Sequence, residues 1–209
     1  MQVLVAAAGS QINIQNSIAM DSLAKQTLTS IRGTGVPIEI KLKQLTDLKA
    51  EIKHRHCPEA AVGPLFDVIR VSIATPHLTD AGFSILGHLN KRLELQDQAS
   101  ILQSQGAKTY NVLLERLADP KDRIRNRAVQ ALTDFHGAAA ADVEQFVRDN
   151  VLTSRNPRAK EAGMHWITST RKDKNIAFRA FVPHIVDCLE DADGSVRQTA
   201  QATVIHLFQ

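Results

Sequence analysis

The sequence predicts an all-α protein, an α-solenoid of about five stacked helical hairpins. From Asp21 onward apolar residues recur at spacings of three and four, and short Pro, Gly or Asn/Asp segments interrupt them. No stretch alternates with period two, the pattern typical of a half-buried strand. Aromatic residues make up only 4% of the chain, so small and aliphatic side chains supply the apolar content, which favours packed helices over sheets.

Five pairs of helices are expected along the chain. They are 21–31 with 37–54, 58–74 with 78–93, a segment ending near 118 with 120–135, 141–152 with 157–170, and 176–190 with 194–208. Proline stands at the predicted start of four helices, where the N–H groups of the first turn have no helical partner. These residues are Pro37, Pro58, Pro120 and Pro157. Gly106 is expected to interrupt the first helix of the third pair.

An internal repeat runs through the second half of the chain. The segment LADPKDRIRNRAVQAL begins at Leu117, and LEDADGSVRQTAQATV begins at Leu189, 72 residues later, which corresponds to two units of about 36 residues. The segment SRNPRAKEAGMHWI supplies the unit between them after a one-residue gap. A hairpin cannot bury its apolar faces alone, so successive units are expected to stack.

Small residues and turn aspartates recur within this repeat. Ala128, Gly163 and Ala200 occupy one position, where helices are expected to approach closely. Asp119 and Asp191 occupy the turn, where each is expected to cap the first N–H groups of the next helix.

Several blocks resemble a known family. FVPHIVDCLEDADGSVRQTA resembles a HEAT repeat, with a Pro in the first helix, an Asp turn, and Val-Arg opening the second. Together with IKHRHCPEAAVGPLFDVIR, DAGFSILGHLNKRL and NPRAKEAGMHW, it resembles the TOG domains of CLASP-type microtubule-associated proteins, fungal members above all. The resemblance covers residues 20–209, and residues 1–19 are interpreted as a poorly specified extension.

The resemblance implies a module that binds tubulin or the microtubule lattice through the loops inside its hairpins. It also implies microtubule stabilisation, mitotic spindle function, contacts with kinetochore proteins, and a place in the cytoplasm and cytoskeleton, at the spindle, or in the nucleus at kinetochores. Such domains usually hold six hairpins, whereas five are expected here. The last one ends with the apolar residues Val204, Ile205, Leu207 and Phe208 and has no polar capping repeat, so a fragment of a longer protein is expected.

Basic residues mark the expected binding edge. The intra-hairpin loops are 32–36, 75–77, 119–123, 154–160 and 191–195, and the hairpin repeat should place them along one side. A basic strip there would suit an acidic protein surface. The candidate binding residues are Arg32, Lys121, Arg123, Arg155, Arg158, Lys160 and Arg197.

Two of the basic positions have a structural interpretation that competes with partner binding. Arg125 and Arg197 recur at one position of the repeat, where Arg and Asp of successive HEAT units often bond to each other, and positions fixed by a repeat usually serve packing. Lys121, Arg123, Arg155 and Arg158 are not dictated by the repeat, and Lys160 falls between the two classes.

One departure from the family pattern favours an alternative function. Many tubulin-binding TOG domains carry an aromatic residue in the first loop, whereas this loop reads RGTGVP. Trp166 lies at core spacing within a helix, which indicates packing. The alternative is a HEAT-repeat interaction module that recruits a CLASP-type protein to kinetochores or other partners without strong tubulin binding.

Other function classes find little support. HRHC at 54–57 brings two histidines and a cysteine together, but no second cluster completes a zinc site, and no phosphate loop, nucleophile elbow or paired-carboxylate motif is present. The chain is therefore interpreted as non-enzymatic, without cofactor or metal. A net charge of +3 is modest for a nucleic-acid partner. No apolar run reaches the ~18 residues of a membrane span.

Overall fold

The computed structural model describes residues 19–174 and 176–208, and every regular element in those ranges is helical. The elements are α1 (residues 19–32), α2 (Ile38–His54), α3 (Glu59–Ala74), α4 (Thr79–Leu95), α5 (Ala99–Leu117), α6 (Asp122–Ala138), α7 (Ala140–Phe146), α8 (Pro157–Lys174), α9 (Val182–Leu189) and α10 (Gly194–Phe208). They form five consecutive hairpins in the described ranges, so the predicted all-α hairpin fold is confirmed. The expected extension 1–19 lies, except for its last residue, outside the described residues.

The helices belong to two compact units, one ending at Ile101 and one beginning at Leu102. The first contains α1–α4 and the first three residues of α5, and the second contains the rest of α5 and the helices α6–α10. Inside each unit, second helices of successive hairpins pack on each other, as α2 does on α4 and α8 on α10. No helix within the described part of the chain is both long enough and apolar enough to cross a membrane.

Three of the four prolines begin helices as expected. Pro37 and Pro58 directly precede α2 and α3, and Pro157 is the first residue of α8. Pro120 is the exception, because α6 begins two residues later at Asp122.

The expected interruption at Gly106 is wrong, since α5 is continuous from Ala99 to Leu117. A Cβ on Gly106 would lie 3.2 Å from both Phe135 Cδ1 and the Tyr110 hydroxyl oxygen. The glycine therefore lies within a continuous helix and allows close packing against two aromatic rings. A glycine in the sequence does not by itself show whether it has this role or breaks a helix.

The first helices of the last two hairpins are less regular than the sequence predicts. A π-helical turn, Val147–Val151, continues α7, and the Leu152 N–H donates to the Val147 carbonyl oxygen at 2.9 Å. A 3₁₀ turn, Phe178–Phe181, leads into α9. The Phe181 ring is fully buried, with its centroid 6.3 Å from that of Trp166.

The small residues of the repeat lie where helices approach closely. Ala128 and Ala200 are fully buried. A Cβ on Gly163 would lie only 2.8 Å from Val151 Cγ1 and 3.2 Å from Leu152 Cδ2. The expected close approach of helices is therefore confirmed at Gly163, and the other two positions are buried as close packing requires.

Candidate functional site

The loops before α6, α8 and α10 are held by side chains that accept backbone hydrogen bonds. The Arg158 N–H donates to Asn156 Oδ1 at 3.0 Å, and the Ser195 N–H donates to Asp193 Oδ1 at 2.8 Å, so Asn156 and Asp193 cap α8 and α10. Both could have been recognised in the sequence as Asx residues directly before a helix.

The expected capping by Asp119 and Asp191 is wrong. Asp119 Oδ1 accepts from the Lys121 N–H at 2.9 Å, and Asp191 Oδ1 accepts from the Asp193 N–H at 2.9 Å. Each aspartate lies three residues before its helix, so its side chain closes an Asx turn within the loop and does not reach the helical N–H groups.

Arg125 and Arg197 bond to the loop of their own hairpin. Arg125 Nη1 donates to the Asp119 carbonyl oxygen at 2.6 Å, and Arg197 Nη1 donates to the Asp191 carbonyl oxygen at 2.7 Å. The partner lies six residues back in both cases. The structural role foreseen for these arginines is therefore present, although neither of these bonds crosses to a neighbouring repeat.

Lys160 makes the bond between repeats. It occupies the arginine position of the middle unit, but its Nζ donates to Asp191 Oδ2 in the next loop. The two side chains are 19% and 13% exposed. The hydrogen bond from Lys160 is the largest cause that holds the pKa of Asp191 below its ordinary value. A second link comes from the Ser195 hydroxyl, whose one proton is shared between the Glu161 and Asp193 carboxylates.

Contacts at both ends show that α8 and α10 run side by side in the same direction. Lys160 contacts the loop before α10, and Arg171 Nη1 near the end of α8 donates to the His206 carbonyl oxygen at 3.2 Å. A groove of about 1040 Å³ runs between α6, α8 and α10. The loops that precede these second helices therefore share one edge of the unit, called here the loop edge.

The candidate cations differ in how they are engaged on this edge. Lys160 and Arg197 both bond to Asp191. The side chains of Lys121, Arg155 and Arg158 are exposed, and the described part of the chain shows no ion pair for these three. These three cations of the loop edge are accessible to a partner.

The two remaining candidates are exposed as well. Arg123 lies in the first turn of α6. Arg32 ends α1 in the first unit, where Lys41 closes the adjoining loop by donating to the carbonyl oxygens of Gly33 at 2.7 Å and Ile31 at 3.1 Å.

Within the HRHC segment, Cys57 belongs to the packed core. Cys57 is fully buried, and Gln96 bonds both its backbone N–H, at 2.8 Å, and its carbonyl oxygen, at 2.7 Å. Burial raises the pKa of the Cys57 thiol to about 12, so it is protonated at neutral pH. Within the described ranges, no group of three or more His, Cys, Asp or Glu residues is placed to hold a metal ion.

Trp166 packs in the core of the second unit, as its spacing in the sequence predicts. Its side chain is 0% exposed, and its ring lies edge-on to His136 with centroids 5.5 Å apart. It is not available to contact a partner.

Comparison with known families identifies the chain. The family model described as "CLASP N terminal" matches residues 20–209. The chain belongs to the CLASP N-terminal family. The resemblance seen in the sequence is thereby confirmed.

Two fungal proteins illustrate the relatives of this CLASP N-terminal chain. It is 50% identical over 192 residues to Protein STU1 of Coccidioides immitis, covering 91% of this chain and 15% of the relative. It is 42% identical over 192 residues to Protein stu1 of Aspergillus oryzae, covering 91% of this chain and 16% of the relative. The chain thus spans less than a fifth of the length of these relatives.

A solved structure shares the fold. The MAST/Orbit N-terminal domain superposes with a TM-score of 0.75 at 17% identity, covering 87% of this chain and 82% of that one. At this level of identity the likeness establishes the fold and leaves function to the site itself.

Proposed function

We propose that this CLASP N-terminal chain is a non-enzymatic module that binds tubulin or the microtubule lattice through its loop edge. The observation that supports the proposal most directly is the set of exposed cations Lys121, Arg155 and Arg158, none of which has an ion pair among the described residues. Membership of the CLASP N-terminal family supplies the class of partner.

The loop edge suits binding because its frame is ordered before a partner arrives. Asn156 and Asp193 fix the starts of α8 and α10, and the Lys160–Asp191 bond joins the two loops. Preordered loops lose little conformational entropy on association. Exposed guanidinium groups then attract an acidic surface and speed the encounter.

The wider role proposed for the parent protein follows from avidity. In a protein that carries several modules of this kind, each would tether tubulin while the others bind in parallel, so that modest affinities multiply. We propose microtubule stabilisation and mitotic spindle function as the outcome, in the cytoplasm and cytoskeleton and at the spindle.

A second candidate function is recruitment to kinetochore proteins or other partners, in the nucleus or at kinetochores, without strong tubulin binding. The first loop favours it, because residues 32–36 contain no aromatic side chain and the loop is closed by Lys41. Trp166, the one tryptophan of the sequence, is buried and does not supply an aromatic contact in its place.

Size-exclusion chromatography with tubulin dimer at low salt tests the first proposal. The wild-type chain is expected to co-elute, and Arg155→Glu/Arg158→Glu is expected to weaken binding about tenfold or more, equivalent to about 1.4 kcal/mol. Because both arginines are exposed, the melting temperature should hardly change.

Lys108→Glu/Arg127→Glu is the matched control, because it makes the same change of charge at exposed positions of α5 and α6 outside the loops. It should retain binding. Absence of co-elution by the wild-type chain would favour the second function, and equal losses in the two variants would show that net charge alone drives binding.

A further inference from the structure

A second basic surface lies on the first unit, where α2 and α4 run side by side. Arg92 of α4 donates from Nε to the Ile52 carbonyl oxygen at 3.1 Å and from Nη2 to that of Lys53. These bonds join the last turns of the two helices, so residues one turn earlier on α2 and α4 are also neighbours.

Four basic residues meet there and are called here the α2–α4 basic face. Lys49 and Lys53 lie one turn apart on α2, and His88 and Lys91 lie one turn apart on α4. Lys53 and Lys91 are exposed, and the other two are partly exposed. Partial burial, followed by the positive charges of the three lysines, lowers the pKa of His88, which shows that the charges act at one place.

Carboxylates of α2 do not neutralise this face. Asp47 pairs with Lys43 at 2.9 Å, and Glu51 pairs with Arg55 at 2.7 Å. Among the described residues, no ion pair reaches the four members of the face.

Capping of α2 does not account for the lysines either. Cations often gather at helix C-termini because they bond the last carbonyl groups. Here the Arg92 guanidinium already bonds the carbonyl oxygens of Ile52 and Lys53. The ammonium groups of Lys49 and Lys53 therefore remain available to solvent or a partner.

The helix surface beside the face is open. Gly87 lies on the exposed side of α4, one turn before Lys91, and a Cβ built on it would meet nothing within 4 Å. An exposed glycine inside a helix costs about 0.5–1 kcal/mol relative to alanine. No packing contact requires this glycine, and the bare backbone lets another chain approach closely.

We infer that the α2–α4 basic face binds an acidic, extended segment of another polypeptide. Lys49 and Lys53 are separated by a rise of about 6 Å along the helix. Alternate side chains of an extended chain recur every ~6.6 Å, so alternate carboxylates can pair with both lysines at once. Lys91, on the neighbouring helix α4, offers such a segment a third positive charge.

A polypeptide fits this face better than a nucleic acid. Binding of single-stranded nucleic acid relies on aromatic side chains on which bases stack. Phe83, the one Phe, Tyr or Trp in α2 and α4, is buried. Lysine ammonium groups pair with carboxylates without demanding a fixed geometry, which suits a flexible acidic segment.

The basic face is independent of the loop edge. Its four residues lie in the first unit, whereas Arg155 and Arg158 lie in the second. Binding of an acidic segment to the basic face can therefore be tested with a synthetic peptide, independently of whether the chain co-elutes with tubulin.

The probe is a fluorescein-labelled peptide of five Glu-Gly repeats, titrated with the whole chain and followed by fluorescence anisotropy at low salt. Wild-type binding should weaken steeply as salt rises. Lys49→Glu/Lys53→Glu should weaken binding at least about tenfold. Lys108→Glu/Arg127→Glu, which changes the net charge equally at exposed positions of the second unit, should bind like wild type.

Three results would overturn the inference. One is absence of wild-type binding, and another is equal loss in the two charge-reversal variants. The third is tighter binding of a labelled single-stranded oligonucleotide or of vesicles of anionic phospholipid, lost in Lys49→Glu/Lys53→Glu. Retained peptide binding by Arg155→Glu/Arg158→Glu would support it and keep it distinct from the loop-edge proposal.

Discussion

Lys160 donates a hydrogen bond to the carboxylate of Asp191, joining the first turn of one second helix to the loop before the next. The lysine aligns with Arg125 and Arg197 in the repeat, yet those arginines bond the carbonyl oxygens of their own loops. The same position of the repeat therefore serves two purposes. The lysine fixes the relation between successive loops, and the arginines fix the shape of individual loops.

Asp191→Asn should destabilise the fold. It removes the negative charge beside a lysine that is only 19% exposed, and a hydrogen bond to a charged group contributes about 1.5–3 kcal/mol. Urea unfolding should show a lower midpoint at an unchanged slope. Asp122→Asn is the control, because Asp122 is 82% exposed and its pair with Arg125 should contribute less than about 1 kcal/mol. Equal shifts in the two variants would contradict a special role for the Lys160 bond.

The loop before α10 should make stability sensitive to acid. Hydrogen bonds from Lys160 to Asp191, and from the Ser195 hydroxyl and N–H to Asp193, hold the pKa values of both carboxyl groups below 3.8. The unfolded chain then binds more protons than the folded chain below about pH 4, so this contribution is complete above that pH and is lost as the pH falls further. The free energy of unfolding, measured from about pH 5 to about pH 3, should fall less in Asp191→Asn/Asp193→Asn than in wild type. Parallel curves would show that neither carboxyl group contributes.

Two glycines of α4 should respond oppositely to the same substitution. A Cβ on Gly82 would lie 2.8 Å from the backbone nitrogen of Ile73 and 2.9 Å from Ser72 Cβ, so Gly82→Ala should destabilise by about 1–3 kcal/mol. Gly87→Ala meets nothing within 4 Å and should stabilise by about 0.5–1 kcal/mol through helix propensity. Thermal unfolding of both variants measures the difference. Destabilisation by Gly87→Ala would mean that α4 packs differently from this structure.

Binding of the acidic probe should raise the pKa of His88. Partial burial, and then the charges of the three lysines, lower it in the unbound chain, and carboxylates brought to the face would favour the imidazolium. Binding therefore takes up a proton, so affinity should rise as the pH falls below about 6.5. Arg92 and Glu94 share α4 with His88 and act in both states.

NMR titration of the His88 ring with and without the Glu-Gly peptide measures this shift, and His88→Gln should flatten the pH dependence of binding. His165 on α8 lies in the other unit and serves as the internal control, since its ring resonances should not respond to the peptide. If the pH midpoint of the His88 titration did not change when the peptide bound, the peptide would not be binding at the α2–α4 basic face.

Local sequence signals predicted the helices well and the loop contacts poorly. Apolar spacing and prolines located all five hairpins, and the repeat identified Ala128 and Gly163 as buried close-contact positions. Gly106 was misread because the decisive contact, with Phe135, lies on another helix. Asp119 was misread as a cap because α6 begins later than Pro120 suggested.

The candidate sites depend on contacts that no local pattern contains. The sequence located the cations of the loop edge, but whether a lysine is engaged depends on partners far along the chain, as with Lys160 and Asp191, 31 residues apart. The α2–α4 basic face was missed for the same reason. Lys53 and Arg92, 39 residues apart, are brought together only when α2 packs on α4.

Both thiols of this chain, Cys57 and Cys188, are buried, and burial raises the pKa of each. Thiolate is the species that reacts with maleimides, so neither cysteine should be modified in the folded protein. A cysteine introduced in place of Arg158 would then be the single reactive position, and a fluorophore could be attached at the loop edge without first replacing the native residues.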